Sequence, residues 1–267
     1  MSHDIDAIRI EDNGGARFIT LNRPDKANAL STGMLLSMTE AIATAAQDSI
    51  EAIVIRSASP NVFCAGGDIQ EFSQGIGQLQ EQGAQLCALM DALNRSPVPV
   101  LSIAQGKAAG AGVILISLSD IVIASERHTL SCPELHFGIY PFLVQGALET
   151  RVTPGVAWQM CMNGKAIPAA VAAEHGLVTE VLDLSDFESH AESRLTYYLE
   201  RRQALWLARR ARSLGHCAQQ LSHMLRQLES LTLENFSIPG VQDQVLAYLD
   251  TLGSRTPRKQ SHPQEIT

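Results

Sequence analysis

Two short β-rich runs, IDAIRIE and ARFITLN, flank an Asn-Gly-Gly turn and predict a β-hairpin at the start of the chain. Ser31 stands where an N-cap is needed, and Met34, Leu35, Met38, Ile42 and Ala45 then recur at helical spacing. EAIVIRS is a continuous β-branched run, short enough for a buried parallel strand. A loop, SASPNVFCAGGD, leads to a polar, Gln-rich helical region ending near Asn94. VPVLSIAQG predicts a strand, GAGVILISLS a helix, and DIVIAS another strand. Strands and helices in this rhythm predict an α/β fold with a parallel sheet.

Beyond Gly155 the pattern becomes helical, over 155–162, 168–175, 186–200 and 202–230, with one short strand at LVTEVL. A soft boundary near Leu184 divides a core (1–184) from a helical region (185–252) and a polar tail (253–267). The helical region is too short for a core of its own. Its apolar residues (Leu195, Leu199, Leu205, Trp206, Leu221, Leu225 and Leu228) are expected to cover a subunit interface.

Charge narrows the function. Twenty Lys and Arg against 28 Asp and Glu leave a net charge of −8, which disfavours a general nucleic-acid binder. Five cysteines, with no C-x-x-C pair, suit reduced thiols better than disulfides or zinc. The N-terminus carries early acids and no apolar h-region, so no signal peptide is expected. The longest apolar stretch, Ala108 to Ser125, contains Asp120, which a membrane span would not hold without a partner. These features together read as a soluble, cytoplasmic protein that binds neither membrane nor nucleic acid.

The sequence contains no G-x-S-x-G elbow, no phosphate-binding G-x-x-x-x-G-K-[ST] loop, no G-x-G-x-x-G and no H-E-x-x-H. Chemistry without metal, nucleotide or a Ser nucleophile is expected. What remains is two glycine-rich turns, Phe63–Ile69 and Gly106–Val113, each placed between a buried strand and a helix. Such turns side by side would aim two backbone N–H donors at one spot, which is what an oxyanion hole requires. The same glycines would equally serve tight turns or close helix packing. A third segment, Ser131–Pro141, holds Glu134 in apolar surroundings. There it is either a proton carrier with a raised pKa or a cap or salt-bridge partner.

Together LNRPDKANAL, VFCAGGDIQEF, GKAAGAGVIL with Asp120 after it, PELHFGIYP and NGKAIPAAVAAEHGLVTEV resemble the crotonase (enoyl-CoA hydratase/isomerase) superfamily, in the family's order and over roughly residues 5–185. The resemblance implies a ββα spiral core with a helical C-terminal region, assembly as a homotrimer or hexamer, and an acyl thioester substrate with no resident cofactor. It assigns the carbonyl donors to the N–H groups of Gly67 and Ala111, and the base to Glu134. Where hydratases carry another Glu, on the helix after the second turn, this chain has Ile114. Substrate contacts are implied at Lys26, Ala27, Ala29, Ala65, Ile69 and His136.

Further similarity, in Lys107, in Pro133–Pro141 and in Leu231–Phe236, points to the branch that dehydrates 3-hydroxy-3-methylglutaryl units on acyl carrier protein in polyketide β-branching. Asp68 either donates to the departing hydroxide or caps the helix after it. His136 either orients a substrate carboxylate, if i and i+2 share an extended face, or is simply half-buried. Arg194, Arg201, Arg202, Arg209, Arg210 and Arg212 form a basic run that is either a solvated helix face or a docking patch for an acidic carrier protein. Three readings stay open: a carrier-linked dehydratase, a Δ3,Δ2-enoyl-CoA isomerase or other hydratase-like enzyme, and a non-catalytic crotonase-like binding protein.

Overall fold

The structure, a computed structural model, describes residues 7–72 and 75–254. The hairpin forms as β1 (Ile8–Asn13) and β2 (Ala16–Leu21), antiparallel from Ile8 opposite Leu21 to Asn13 opposite Ala16. Gly14 and Gly15 supply the two positive φ angles of its turn. α1 (Thr32–Thr44) follows, with the Ser31 side chain accepting from the Met34 N–H at 3.3 Å. β3 (Ala52–Ser57) then pairs parallel to β2. In both strands alternate residues serve different cores: Ile19, Leu21, Ile53 and Ile55 face one, Ala16, Phe18, Ala52 and Val54 the other. A strand buried on both faces needs no polar alternation, which explains the unbroken run in EAIVIRS.

From β3 onward one unit repeats. β3 is followed by β4 (Val62–Cys64), α2 (Ile69–Phe72) and α3 (Ile76–Asn94). β5 (Val100–Ala104) is followed by β6 (Lys107–Ala109) and α4 (Ala111–Leu118), and β7 (Ile121–Ser125) by β8 (Thr129–Ser131). The first strand of each pair enters one sheet and the second another. α5 (Phe142–Leu148), α6 (Pro154–Asn163), β9 (Ile167–Pro168), α7 (Ala169–Glu174) and β10 (Glu180–Leu182) complete the core. The sheets run β1-β2-β3-β5-β7-β10 and β4-β6-β8-β9. This is the expected ββα spiral. β4 and β6, which the sequence reading leaves as loop and turn, are three-residue strands, too short to show alternation.

Four helices follow: α8 (Phe187–Leu199), α9 (Arg202–Ser213), α10 (His216–Phe236) and α11 (Val241–Ser254). The single helix expected over 202–230 is broken at Gly215, whose backbone is extended (ψ 148°). α11 falls within the expected helical region but extends two residues past it, taking Gly253 and Ser254 from the expected tail; 255–267 lie outside the described residues. The expectation that Leu195, Leu221, Leu225 and Leu228 await a partner subunit is corrected. Leu195 is buried against the sheet, and the other three sit in the main core of the same chain. Gly146 on α5 permits this, since a β-carbon there would lie 2.6 Å from Leu228 Cδ1. Trp206, Leu207 and Leu214 remain exposed. All five cysteines are unbridged, and Cys217 alone is exposed. Among the described residues no helix is long and apolar enough to cross a membrane.

The arginine run divides: Arg209 and Arg212 are drawn into the protein, whereas Arg194, Arg201, Arg202 and Arg210 stay accessible to solvent. Arg194 is bidentate to Glu180 at 2.6 and 2.7 Å, and Arg202 pairs with Glu51. Arg201 lies over the Tyr197 ring at 3.8 Å. Arg209 is 3% exposed and donates to the carbonyls of Leu93, Asn94 and Ser96 and to Asp120 at 3.1 Å. Arg212 donates to the carbonyls of Ser117 and Ser119 and to Asp120 at 2.9 Å. These carbonyls lie at or just beyond the C-terminal ends of α3 and α4, where backbone acceptors lack helical donors and negative dipole ends attract cations. Asp120, which also accepts from the Val100 N–H at 2.9 Å, thereby has the partners its apolar setting requires. Arg210 is exposed, over the Trp206 ring at 5.5 Å.

Arg209→Ala leaves Asp120 with Arg212 but takes the donor from the buried carbonyls of Leu93, Asn94 and Ser96, and should lower unfolding free energy by about 2–4 kcal/mol in a denaturant titration. Arg210→Ala should stay within about 0.5 kcal/mol.

Candidate active site

The first turn is held by α1's approach strand. The Leu30 N–H donates to the Gly66 carbonyl at 2.8 Å, and the Leu30 carbonyl accepts from the Asp68 N–H at 2.9 Å. Leu30 therefore bridges Gly67 in parallel fashion. That pattern turns Gly67's own N–H to the opposite side, where Gly67 lines a cavity of about 140 Å³. The second turn delivers Ala111 as the first residue of α4, so its N–H has no acceptor within the helix. Every residue of α4 is buried, and its positive dipole end meets the same cavity.

Main-chain contact brings the turns together. A β-carbon on Gly66 would lie 3.3 Å from the Ala109 carbonyl oxygen and 3.8 Å from the Ala111 nitrogen. One on Gly112 would lie 2.4 Å from the Cys64 carbonyl oxygen, and one on Gly106 only 2.0 Å from the Asn61 carbonyl carbon. Gly66, Gly106 and Gly110 also hold positive φ angles of 113°, 71° and 51°. The glycines thus perform both roles left open by the sequence: they shape tight turns, and they let two strand ends present their N–H groups together.

Glu134 sits on a 3-10 turn, Pro133–Phe137, closed by Gly138 in the left-handed region. A β-carbon at Gly110 would lie 2.7 Å from its Oε1, so the carboxyl rests directly on the second turn. Its Oε2 is buried without a hydrogen-bond partner. Burial pushes the Glu134 pKa up to about 7, against a smaller lowering by its own backbone N–H. Ile114, one turn into α4, lines the cavity and is fully buried, so no carboxylate stands at that position.

Ala65 and Ile69 also line the cavity. Asp68 does not. Its Oδ2 accepts from Arg23 at 2.6 Å and its Oδ1 from the Gln70 N–H at 2.9 Å, so its carboxylate is engaged in the cap and in an ion pair. His136 is exposed beside Gly164 and outside the lining. The extended geometry expected for it is replaced by the 3-10 turn Pro133–Phe137, with about three residues per turn, on which i and i+2 do not share a face. Ala27 accepts from the Ala65 N–H at 3.0 Å, tying its loop to the first turn. Ala29 accepts from Arg23, and exposed Lys26 donates to Gln70 at 2.9 Å. These three residues flank the cavity without lining it.

The C-terminal helices supply walls that the sequence reading did not assign. Leu233 and Phe236 of α10 and Tyr248 of α11 close the cavity, together with Phe137 and Tyr140. The Asn235 side chain fastens α10 to the Glu134 turn, accepting from the Tyr140 N–H at 2.7 Å and donating to the Gly138 carbonyl at 3.1 Å. Gln82 and Glu229 are further polar members of the lining. For Gln82 a signal existed: Leu79, Gln82, Gly83 and Leu86 follow helical spacing, with one amide inside the stripe.

Residues 11–252 match the family model for enoyl-CoA hydratase/isomerase. The chain is 36% identical over 184 residues to enoyl-CoA hydratase domain-containing protein 3, mitochondrial, of Danio rerio, covering 68% of this chain and 64% of that protein, just under two thirds of the relative's length. It is 30% identical over 243 residues to the Homo sapiens protein of the same name, covering 88% and 78%. A putative polyketide biosynthesis enoyl-CoA hydratase from Bacillus subtilis shares the fold, with a TM-score of 0.80 at 24% identity over 92% of this chain and 97% of that one. A spiral of ββα units and a match spanning nearly the whole chain agree: the chain belongs to the enoyl-CoA hydratase/isomerase family of the crotonase superfamily.

Proposed function

We propose that the protein dehydrates a 3-hydroxyacyl thioester through an enolate. The observation that carries this reading is the buried carboxyl of Glu134, whose Oε2 has no hydrogen-bond partner, lying against the turn that presents the Ala111 N–H. The thioester carbonyl accepts from the N–H groups of Gly67 and Ala111. Ionised Glu134 takes a proton from the carbon next to that carbonyl, and the electron pair moves onto the oxygen as an enolate. As the pair returns, the bond to the 3-hydroxyl breaks and a carbon–carbon double bond forms. The departing oxygen takes the proton from Glu134 and leaves as water, which restores the carboxylate. A pKa near neutrality suits a group that must both take and give a proton.

With Ile114 in place of another carboxylate, a second reading uses the same base. Glu134 returns the proton further along the chain, which shifts a double bond instead of expelling water. The acyl group we favour is uncharged, because the described lining residues include no Lys, Arg or His to receive a carboxylate. 3-Hydroxy-3-methylglutaryl carrier protein, yielding a 3-methylglutaconyl unit, is the charged alternative tested beside it. Lys26 is the candidate contact for a pantetheine phosphate. The working form is a cytoplasmic homotrimer or hexamer, with Trp206, Leu207 and Leu214 as apolar surface for subunit contact.

Incubation with 3-hydroxybutyryl-CoA, 3-hydroxy-3-methylglutaryl carrier protein and a 3-enoyl-CoA, followed by mass spectrometry, separates the reactions. Loss of one water identifies dehydration, and a rearranged product of unchanged mass identifies isomerisation. Glu134→Gln keeps the shape but cannot accept the proton, and should lower kcat by about 10²–10⁴-fold with binding nearly intact. Near-normal turnover in that variant would remove Glu134 as the base.

The raised pKa also has a stability signature. Between its ordinary value of 4.5 and about 7, the folded protein holds this proton more tightly than the unfolded chain does, so stability falls as pH rises through that window. Glu134→Gln should therefore raise the denaturation midpoint at about pH 8, where the native carboxylate is charged and desolvated, and leave it nearly unchanged at about pH 5.

A further inference from the structure

Gln82 reaches the cavity from α3 and is 2% exposed. Its Nε2 donates to the Leu30 carbonyl at 3.1 Å and to Glu71 Oε2 at 2.8 Å. Both acceptors are themselves fixed. Leu30 is the residue that bridges the first turn, and Glu71 Oε2 also accepts from the Thr32 N–H and hydroxyl. Reversing the amide would set its oxygen against two acceptors, so its orientation is determined. The Oε1 is left buried with no donor. A buried, unmatched acceptor is destabilising unless something in the functional state supplies its hydrogen bond.

The neighbouring wall does not supply it. The Thr232 hydroxyl donates to the Leu228 carbonyl at 2.8 Å, and the Tyr140 hydroxyl donates to Gln145. Glu229 adds carboxylate oxygens, which are acceptors as well. Tyr248 adds a hydroxyl, a group that both donates and accepts, at the α11 wall. Beside the backbone donors of the two turns, the polar side chains here mainly lack hydrogen-bond donors. That character repels a substrate carboxylate and suits a neutral group carrying its own proton.

We infer that Gln82 is a specificity-determining residue whose Oε1 accepts a hydrogen bond from a hydroxyl on the acyl group. This rests on the acyl group occupying the cavity as proposed above, and it names the 3-hydroxyl as the group held. Anchored to Leu30, the amide ties recognition of that hydroxyl to the same main-chain segment that positions the Gly67 N–H.

The test uses non-reacting amide analogues of acyl-pantetheine and calorimetric binding, so it does not depend on turnover. Wild-type protein should bind the 3-hydroxybutyryl analogue roughly tenfold more tightly than the butyryl and 3-fluorobutyryl analogues, since fluorine fills similar space without a proton to donate. In Gln82→Met or Gln82→Leu the three affinities should converge, with butyryl binding retained. A wild-type ratio near one overturns the inference without any variant. So does a ratio preserved in a folded Gln82 variant, or one abolished by Glu229→Met in place of Gln82→Met. If the hydroxyl preference holds but no water is lost from 3-hydroxyacyl thioesters, the reaction assignment fails and the role of Gln82 stands.

Discussion

The contact between the two glycine turns is the constraint on which the site depends. At Gly106 and Gly112 one main chain lies so close to another that a β-carbon would fall within 2.4 Å of a backbone atom. The two turns therefore have no side-chain layer between them to yield. The N–H groups of Gly67 and Ala111 inherit that rigidity, and an oxyanion site is effective to the extent that its donors need not reorganise as charge develops. Glu134 is placed by the same contact, because its carboxyl occupies the space that a side chain on Gly110 would take.

The distal wall is secured differently. α9, α10 and α11 have no sheet to add to, so they are attached through side chains. Arg209 and Arg212 insert charge at the ends of α3 and α4 around Asp120, and Asn94 donates to the Ala218 carbonyl at 2.7 Å. Buried ion pairs contribute less net stability than their geometry suggests, because desolvation offsets much of the attraction. Their effect here is orientation: carbonyls at the ends of two helices receive planar donors from one short helix. α10 then carries Asn235 to the Glu134 turn, so the active-site wall and the helical region form a single packing unit.

Much of this was legible in the sequence. Strands buried on both faces read as unbroken apolar runs, the N-cap at Ser31 is explicit, the glycine turns and Glu134 stand out by order and residue type, and the family resemblance places Ile114. The losses have specific causes. A three-residue strand such as β6 carries no period. Helical spacing says that Arg209 shares a face with Arg202 and Leu205, but not that Asp120 and the α3 carbonyls wait opposite. His136 was read on an extended segment, and a local 3-10 turn changed its direction. Gln82 was visible as a polar interruption in an apolar stripe, but the two acceptors that fix its amide come from residues 30 and 71, which no local pattern connects to it.

Because the groups proposed to hold the carbonyl belong to the main chain, no side-chain exchange at Gly67 or Ala111 except to proline removes a donor. The rest of the cavity wall, by contrast, is built of ordinary side chains such as Ile114, Leu79, Leu233 and Phe236. Single codon changes can reshape that wall while the polarising groups stay in place. Under the proposed function the molecule thus separates what makes a thioester reactive from what chooses among thioesters, and substrate range can diverge in such a scaffold without first passing through an inactive intermediate.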